Sequence, residues 1–226
     1  KYIIRKGDQH FSQIKAISLT QPTELGTCYT LQEMKDIAEI AKKHQLYIHV
    51  DGARLANAVF SLNTSFKKLI SEMGVDILSF GGTKNGFLFG EAVVILNNKL
   101  KEDFKYIRKQ SAQLPSKTRY IANQFYHYLK DENYLQIAEK SCHAARLLYT
   151  KLQDLSLQFP QIKITQVQES NAVFIVLPKE VIKPLREKYF FYVWNEHTME
   201  CRLMTSWDTE SVEITQFVDE LKKLLE

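Results

Sequence analysis

Tyr47-Ile48-His49-Val50-Asp51-Gly52-Ala53-Arg54 and Ile77-Leu78-Ser79-Phe80-Gly81-Gly82-Thr83-Lys84 are the two stretches that decide the fold. Each opens on a short apolar run and ends on polar and glycine residues, which is typical of a strand buried in a parallel sheet. The segment Ser61 to Met73 between them has the length of a helix. This pattern predicts a βαβ unit, and open parallel sheets bind ligands at the carboxyl ends of their strands.

The two stretches place an acid, Asp51, at the tip of one strand and a lysine, Lys84, just past the tip of the next. A lysine amine forms a Schiff base with an aldehyde, and a carboxylate can keep a pyridine nitrogen protonated. Together they predict a pocket for pyridoxal 5'-phosphate (PLP). Two simpler interpretations stay open: Lys84 as a surface lysine in a glycine-rich turn, and Asp51 as the cap of the following helix.

The paired motifs, His49-x-Asp-Gly-Ala-Arg54 and Ser79-Phe-Gly-Gly-Thr-Lys-Asn-Gly86, resemble those of the low-specificity L-threonine aldolases. That group belongs to the beta-eliminating lyases, which are fold-type I PLP enzymes. Ser18 to Thr27 upstream and Cys201 to Asp208 downstream extend the resemblance over nearly the whole chain.

The resemblance implies an α/β fold. It predicts the second half of an aspartate aminotransferase-type large domain, followed by a small α+β domain. The implied boundaries are 1–110 for part of the PLP-binding large domain, 111–160 for a long helical connection, and 161–226 for the C-terminal domain.

The resemblance also implies roles for individual residues. Lys84 and Asp51 are expected to be catalytic and to hold PLP, with Thr83 at the cofactor phosphate or at Lys84 itself. Arg54 is expected near the phenolic oxygen of the cofactor. Arg202 is expected to bind the substrate carboxylate, which a guanidinium does through two parallel hydrogen bonds.

Alternatives remain for these residues as well. Arg54 could form a salt bridge at the start of a helix, and Arg202 could be an ordinary strand arginine in an ion pair. His49 lies on the same side of its strand as Asp51 because side chains alternate along a strand. It is expected either to contact the cofactor or to be a core histidine with satisfied hydrogen bonds.

Two further regions have weaker signals. The polar loop Gln21 to Thr27 is expected close to the cofactor pocket, although a plain turn explains it equally well. Lys109, Lys117 and Arg119 could reach a phosphate across a subunit interface, but their spacing departs from that of the relatives.

Composition excludes several function classes. The net charge of +4 comes from 30 basic and 26 acidic residues that are interspersed, which gives no basic face for nucleic acid. No apolar run is long enough to span a membrane.

Three widely spaced cysteines predict a reducing compartment, the cytoplasm, rather than a disulfide scaffold, and no cysteine or histidine spacing suits a metal. Cys142 lies in an apolar helical stripe and is expected in the core.

Periodicity and turn signals predict the remaining elements. Thr30 and Glu33 form a capping box before a helix that ends near His44. Strands are predicted at 15–19, 46–50, 162–167, 172–177, 190–194 and 201–204, with a buried strand in 87–96. Helices are predicted at 117–131, 134–155, 179–188 and 211–225, and 99–110 is a basic helix or loop. Val212, Phe217, Leu221 and Leu224 are expected to face one way in the last helix.

The expected function is aldol cleavage of L-threonine or L-allo-threonine to glycine and acetaldehyde, by a homo-oligomer (a dimer or tetramer) whose only other partner is its amino-acid substrate. Another PLP-dependent β-elimination or a racemisation would use the same lysine, acid and arginine. The resembled family is longer, and its additional part precedes Lys1. The chain is therefore expected to be the C-terminal portion of an enzyme, and an inactive truncated module is the non-enzymatic alternative.

Overall fold

The computed structural model describes residues 3–226. The strands are β1 (Ala16–Thr20), β2 (Tyr47–Gly52), β3 (Ile77–Gly81), β4 (Glu91–Ile95), β5 (Lys163–Ile164), β6 (Ala172–Val176), β7 (Tyr192–Asn195) and β8 (Glu200–Met204). The α-helices are α1 (Leu31–His44), α2 (Leu55–Ser61), α3 (Phe104–Gln110), α4 (Arg119–Leu129), α5 (Asn133–Gln158), α6 (Lys179–Lys188) and α7 (Ser211–Leu225).

The first sheet has the order β1-β2-β3-β4. The first two pairings are parallel, as the sequence predicts, and β4 closes the sheet antiparallel to β3. Val50 of β2 is fully buried, and α1 and α2 contribute Met34, Leu55 and Val59 to the core of this sheet. The parallel pairings bring the carboxyl ends of β1, β2 and β3 to one edge, where the predicted site lies.

The second sheet has the order β5-β6-β8-β7 and is antiparallel throughout. Its central strand β6 reads Ala172-Val-Phe-Ile-Val176 and is almost wholly buried, because α6 and α7 join it in one core. Strand β8 lies beside β6 and carries Arg202 opposite Phe174. The strands and helices of this half form the mixed α and β arrangement expected for residues 161–226.

Helix α5 connects the two sheets. Tyr134 and Ala138 near its start lie in the core of the first sheet, whereas Leu148 and Leu152 further along lie in the core of the second. Full burial of a leucine side chain contributes roughly 1.5–3 kcal/mol, so this helix couples the two cores through its length. Cys142 is buried between them, which confirms its prediction as a core residue.

The helix expected at Ser61 to Met73 is misplaced. Helix α2 begins six residues earlier, at Leu55, and ends at Ser61, and a short π-helical turn at Lys67–Ser71 follows. The sequence pattern was ambiguous because Leu55-Ala-Asn-Ala-Val59 is buried on every side and shows no polar face. Consequently α2 starts directly behind the Asp51 motif and positions it.

Three smaller predictions also need correction. Strand β4 is a half-exposed edge strand rather than a buried one, with Glu91 and Val93 exposed. The strand expected at 162–167 is reduced to the two residues of β5. In α7, Val212 is exposed and Ile214 takes its place in the core, since position 214 lies on the face shared by Phe217 and Leu221.

Other local predictions are confirmed. Thr30 Oγ1 accepts a hydrogen bond from the Glu33 backbone N–H at 3.2 Å, and Glu33 Oε2 accepts one from the Thr30 N–H at 2.8 Å, which completes the capping box of α1. Helices α6 and α7 have the bounds expected for them. Across residues 3–226, none of the helices combines the length and apolarity that a membrane crossing requires.

Candidate active site

The site is built on the register of three parallel strands. Thr20 of β1 pairs with Asp51 of β2, and Asp51 pairs in turn with Ser79 of β3. Neighbouring strands lie about 4.8 Å apart, so Asp51 has a strand tip on each side of it. Lys84 follows the end of β3 by three residues, in a 3₁₀ turn formed by Thr83–Asn85.

A buried amide ties the Asp51 loop to the Lys84 turn. Asn85 Nδ2 donates hydrogen bonds to the carbonyl oxygen of Ala53 at 3.1 Å and to that of Gly81 at 2.8 Å. Ala53 is two residues beyond Asp51, and Asn85 is adjacent to Lys84. The pair of bonds therefore fixes the backbone that carries the acid relative to the backbone that carries the lysine.

Gly81 permits this close approach. A Cβ added at Gly81 would lie 2.6 Å from the Ala53 Cα and from the Ala53 carbonyl oxygen, a distance that side-chain carbons do not adopt. In the structure it is backbone that approaches backbone, and Gly86, with φ of +90°, ends the turn in the left-handed region that favours glycine.

Glu91 of β4 holds the Lys84 turn from the other side. Its carboxylate accepts hydrogen bonds from the backbone N–H groups of Gly82 at 3.1 Å and Thr83 at 3.2 Å. The Thr83 hydroxyl is bonded to Gly90, accepting from its N–H at 3.1 Å. Thr83, expected at a cofactor phosphate, thus has its amide and its hydroxyl engaged within the turn.

Lys84 and Asp51 retain groups that are free for a ligand. The Lys84 side chain is exposed, and its amine has no hydrogen bond or salt bridge to any of the described residues. Asp51 Oδ1 accepts a hydrogen bond from the Ala53 N–H at 3.0 Å, whereas Oδ2 has no partner within residues 3–226. Asp51 closes a local turn and does not cap α2, whose N-cap is Arg54.

His49 is held between two serines. Its Nδ1 lies 2.8 Å from Ser18 Oγ on β1, and its Nε2 lies 3.0 Å from Ser79 Oγ on β3. Both ring nitrogens therefore have partners from the neighbouring strands. His49 thus links β1, β2 and β3 through its hydrogen bonds, two residues before Asp51.

Arg54 is the N-cap of α2 and is half-buried. Burial, and then the positive charge of Arg202, lower the pKa of the Arg54 guanidinium, while Glu24 and Asp51 act in the opposite direction. The two arginines thus lie near enough to repel each other. Two guanidinium groups and two carboxylates form one charged cluster at the edge of the first sheet.

Arg202 reaches this cluster from β8. Its Nη1 donates to Glu24 Oε2 at 2.9 Å, and its guanidinium carbon lies 4.2 Å from the centre of the Trp194 ring. The Arg202 side chain is 14% exposed and that of Glu24 55% exposed. Arg202 Nε is buried without a hydrogen-bond partner. The structure thus contains the ion pair foreseen as an alternative, and this pair leaves the buried Nε donor of Arg202 unused.

The loop Gln21 to Thr27 connects the two halves of the cluster. The Gln21 N–H donates to the Asp51 carbonyl oxygen at 2.9 Å, and the Gly26 carbonyl oxygen accepts from the Ser170 hydroxyl at 3.0 Å. Gly26 also packs on Ala172 at the start of β6. The loop is thus anchored to the Asp51 strand at one end and to the second sheet at the other, with Glu24 between these anchors.

Lys109, Lys117 and Arg119 lie apart from this cluster. Lys109 lies near the end of α3, Arg119 starts α4, and all three side chains are exposed. A cavity of about 460 Å³ lies on the other side of the Lys84 turn, between Gly86, Trp207 and α5. It includes Asn85 but neither Lys84 nor Asp51.

The arrangement fits the aldehyde and ring ends of PLP. Lys84 offers an unpaired amine and Asp51 an unpaired carboxylate oxygen on adjacent strand tips, which is the donor set required by an aldehyde and a pyridine nitrogen. The amides of Gly82 and Thr83 are bonded to Glu91, so this turn offers no free amide pair for the phosphate. Arg54 and Arg202 add two positive charges to the same edge of the sheet.

Sequence reasoning missed three contributors: Glu24, Asn85 and Glu91. Asn85 and Glu24 lie inside the motifs that carried the resemblance, but their partners, Ala53 and Arg202, are 32 and 178 residues away. The one signal in the sequence was the asparagine directly after the lysine, and a single polar residue shows no periodicity that would predict its contacts.

Comparison with known proteins places this geometry in a family. A sequence model of the beta-eliminating lyases matches residues 1–177. A low specificity L-threonine aldolase of Pseudomonas aeruginosa is 36% identical over 225 residues, which covers 98% of this chain and 63% of the relative. One from Pseudomonas sp. strain NCIMB 10558 is 33% identical over 222 residues with the same two coverages. The chain thus spans less than two thirds of the length of these relatives.

Solved structures of threonine aldolases and other PLP enzymes have the same fold as this chain. A threonine aldolase from Leishmania major superposes with a TM-score of 0.87 at 32% identity, covering 98% of this chain and 64% of that one. Cystalysin from Treponema denticola, whose structure contains PLP, superposes with a TM-score of 0.68 at 16% identity, covering 92% and 57%. The second match reflects the shared fold alone.

Proposed function

Because the chain belongs to the beta-eliminating lyase family, we propose that the protein cleaves β-hydroxy amino acids such as L-threonine or L-allo-threonine to glycine and an aldehyde, with PLP as cofactor. The observation that carries the proposal is the link made by Asn85, which sets Lys84 beside the Asp51 strand tip. The threonine aldolases of comparable sequence support the choice of reaction.

In this proposal each residue has a defined task. Lys84 Nζ would hold the aldehyde end of the cofactor, and the free oxygen of Asp51 would keep the pyridine nitrogen protonated. Bound PLP supplies an electron sink for the pair of electrons released when a bond to the substrate Cα breaks. Arg54, whose lowered pKa reflects burial beside Arg202, adds a positive charge at the same edge.

Arg202 orients the substrate. A guanidinium that binds a carboxylate through two hydrogen bonds fixes both the position and the rotation of an amino acid. The Trp194 ring covers one face of the guanidinium, so the carboxylate is held at its edge. The orientation set in this way determines which bond to Cα is cleaved.

The proposal extends to the oligomeric state and the cellular location of the protein. The protein works as a homo-oligomer in the cytoplasm, in keeping with the apolar side chains exposed around the Lys84 turn and α4, namely Leu88, Phe89, Tyr120, Tyr126 and Leu129. Its three cysteines are free thiols, as a reducing compartment allows. The proposed domain division is 1–110, 111–160 and 161–226, and Lys109, Lys117 and Arg119 are proposed to contact a phosphate across the subunit interface.

Product analysis tests the proposed reaction. The protein is incubated with PLP and L-threonine, and glycine and acetaldehyde are quantified against a Lys84→Ala control. Equal amounts of glycine and acetaldehyde are expected. Formation of 2-oxobutanoate and ammonia, or of D-allo-threonine by inversion at Cα, would instead assign elimination or racemisation to the same residues. Absence of any product with threonine, serine or cysteine conjugates would favour the inactive module.

A further inference from the structure

The Glu24 carboxylate binds the Arg202 guanidinium at the place where a substrate carboxylate is expected. The contact is a single hydrogen bond of 2.9 Å to Nη1, and the Glu24 side chain is more than half exposed. Glu24 is the one acidic partner of Arg202 within residues 3–226. A carboxylate of this protein therefore has the same chemistry and the same binding partner as the carboxylate of an amino acid.

The loop that carries Glu24 is fixed, so the movable part is its side chain. Thr23 and Thr27 close the loop through a backbone hydrogen bond of 2.8 Å and a hydroxyl contact of 2.7 Å. Gln21 anchors it to Asp51, and Ser170 anchors it to the second sheet. Rotation about the Glu24 side-chain bonds can release Arg202 without any change in this backbone.

A free carboxylate can replace Glu24 as the hydrogen-bond partner of Arg202. It satisfies one donor of Arg202 and leaves the buried Nε without a partner. A free carboxylate that binds side-on pairs with two donors, and paired charge-assisted bonds are stronger than a single one. The Trp194 ring, 4.2 Å from the guanidinium carbon, keeps Arg202 in place while the carboxylates exchange.

We infer that, without substrate, the Glu24 carboxylate takes the position on Arg202 that the substrate carboxylate occupies. An amino acid must therefore displace Glu24 from Arg202 when it binds. The inference rests on the proposed role of Arg202 as the carboxylate clamp. Glu24 thereby weakens the binding of every carboxylate ligand by a constant factor. It also keeps the Arg202 charge paired when no amino acid is bound.

The test uses propionate, a carboxylate without an amino group, and the protein without added PLP. Its Kd is measured by ligand-detected NMR for the wild type and for Glu24→Gln. Glu24 is more than half exposed and accepts a single hydrogen bond from Arg202, so removal of its charge is expected to lower the Kd about two- to fivefold. Glu220→Gln is the matched control, because Glu220 of α7 forms an ion pair of 2.7 Å with Lys188 of α6 and has no contact with Arg202, and it should leave the Kd unchanged.

An Arg202→Gln background locates the effect. Arg202→Gln should weaken propionate binding, and adding Glu24→Gln to it should make no further difference, because the effect passes through Arg202. Glu24→Ala should act like Glu24→Gln, with thermal melting to show that each variant is folded. A Kd that rises or stays constant in folded Glu24→Gln would overturn the inference, since Glu24 would then orient Arg202 or have no role. Because propionate is not cleaved, a protein inactive toward threonine could still give the expected result.

Discussion

Asn85 Nδ2 lies 3.1 Å from the carbonyl oxygen of Ala53 and is buried between the two loops of the site. With its second bond to Gly81, this amide joins the strand tip that carries Asp51 to the turn that carries Lys84. The separation of acid and lysine is thus set by backbone contacts and does not depend on a direct contact between their side chains.

Asn85→Asp should destabilise the fold and weaken PLP binding together. The substitution keeps the shape but replaces two donated hydrogen bonds by a buried carboxylate facing two carbonyl oxygens. An unsatisfied buried polar group costs about 1–3 kcal/mol and a charged one costs more. Urea unfolding should show this loss. Asn98→Asp, at an exposed position, is the control and should change stability by less than about 0.5 kcal/mol.

Arg202→Lys should raise the KM for L-threonine and leave PLP binding intact. A lysine supplies a point charge and loses the planar pair of donors. Loss of one charge-assisted hydrogen bond, worth about 1.5–3 kcal/mol, corresponds to a roughly ten- to hundredfold rise. Steady-state kinetics on the PLP-loaded protein measures it, with Arg108→Lys on exposed α3 as the control. An unchanged KM would remove Arg202 from the substrate site.

The three thiols should be unreactive in the folded protein. Burial raises the pKa of Cys28 to about 12 and the pKa of both Cys142 and Cys201 to about 11, from an ordinary value of 9.0. The reactive thiolate is therefore scarce at pH 8. A thiol reagent at that pH should label all three cysteines in urea and none at a comparable rate without it. Fast labelling of Cys142 in the folded protein would contradict its burial.

The same pKa shifts predict a loss of stability at alkaline pH. The folded pKa values lie above the unfolded value, so the unfolded state releases its thiol protons first. Their contribution to stability is complete below pH 9 and declines as the pH rises from 9 toward 11 and 12. Urea unfolding of the protein across this range should show the decline. Substitution of Cys142 by alanine should reduce its pH dependence, whatever the cost of the cavity.

Much of the fold was predictable because its signals are local. The capping box at Thr30, the short runs at Ile48 and Leu78, and the periodicity of α7 each depend on neighbours a few residues away. The Asp51 and Lys84 motifs are 33 residues apart, and their pairing was predictable because each motif ends a short strand of the same βαβ unit. Their side-chain roles remain predictions until the site is tested chemically.

What sequence reasoning missed depends on distant contacts or on uniform burial. Helix α2 was misplaced because residues 55–59 are all buried, the polar Asn57 included, so no exposed polar face identified the helix. Asn85 and Glu24 act through partners that only the folded chain brings near. Gly81 is needed because the Ala53 backbone, 28 residues away in the chain, fills the space where a Cβ would lie.

The central claim is that Lys84 is the lysine that binds PLP, and chemical trapping tests it most directly. The protein is mixed with PLP, reduced with borohydride, digested, and mapped by mass spectrometry. Lys84 is exposed and has no partner among the described residues, so its substitution by alanine should leave the fold intact. We expect one dominant PLP-modified peptide containing Lys84, its loss in Lys84→Ala, and its retention in Lys99→Ala. A dominant adduct on a different lysine, or the same yield of adduct in Lys84→Ala, would contradict the account.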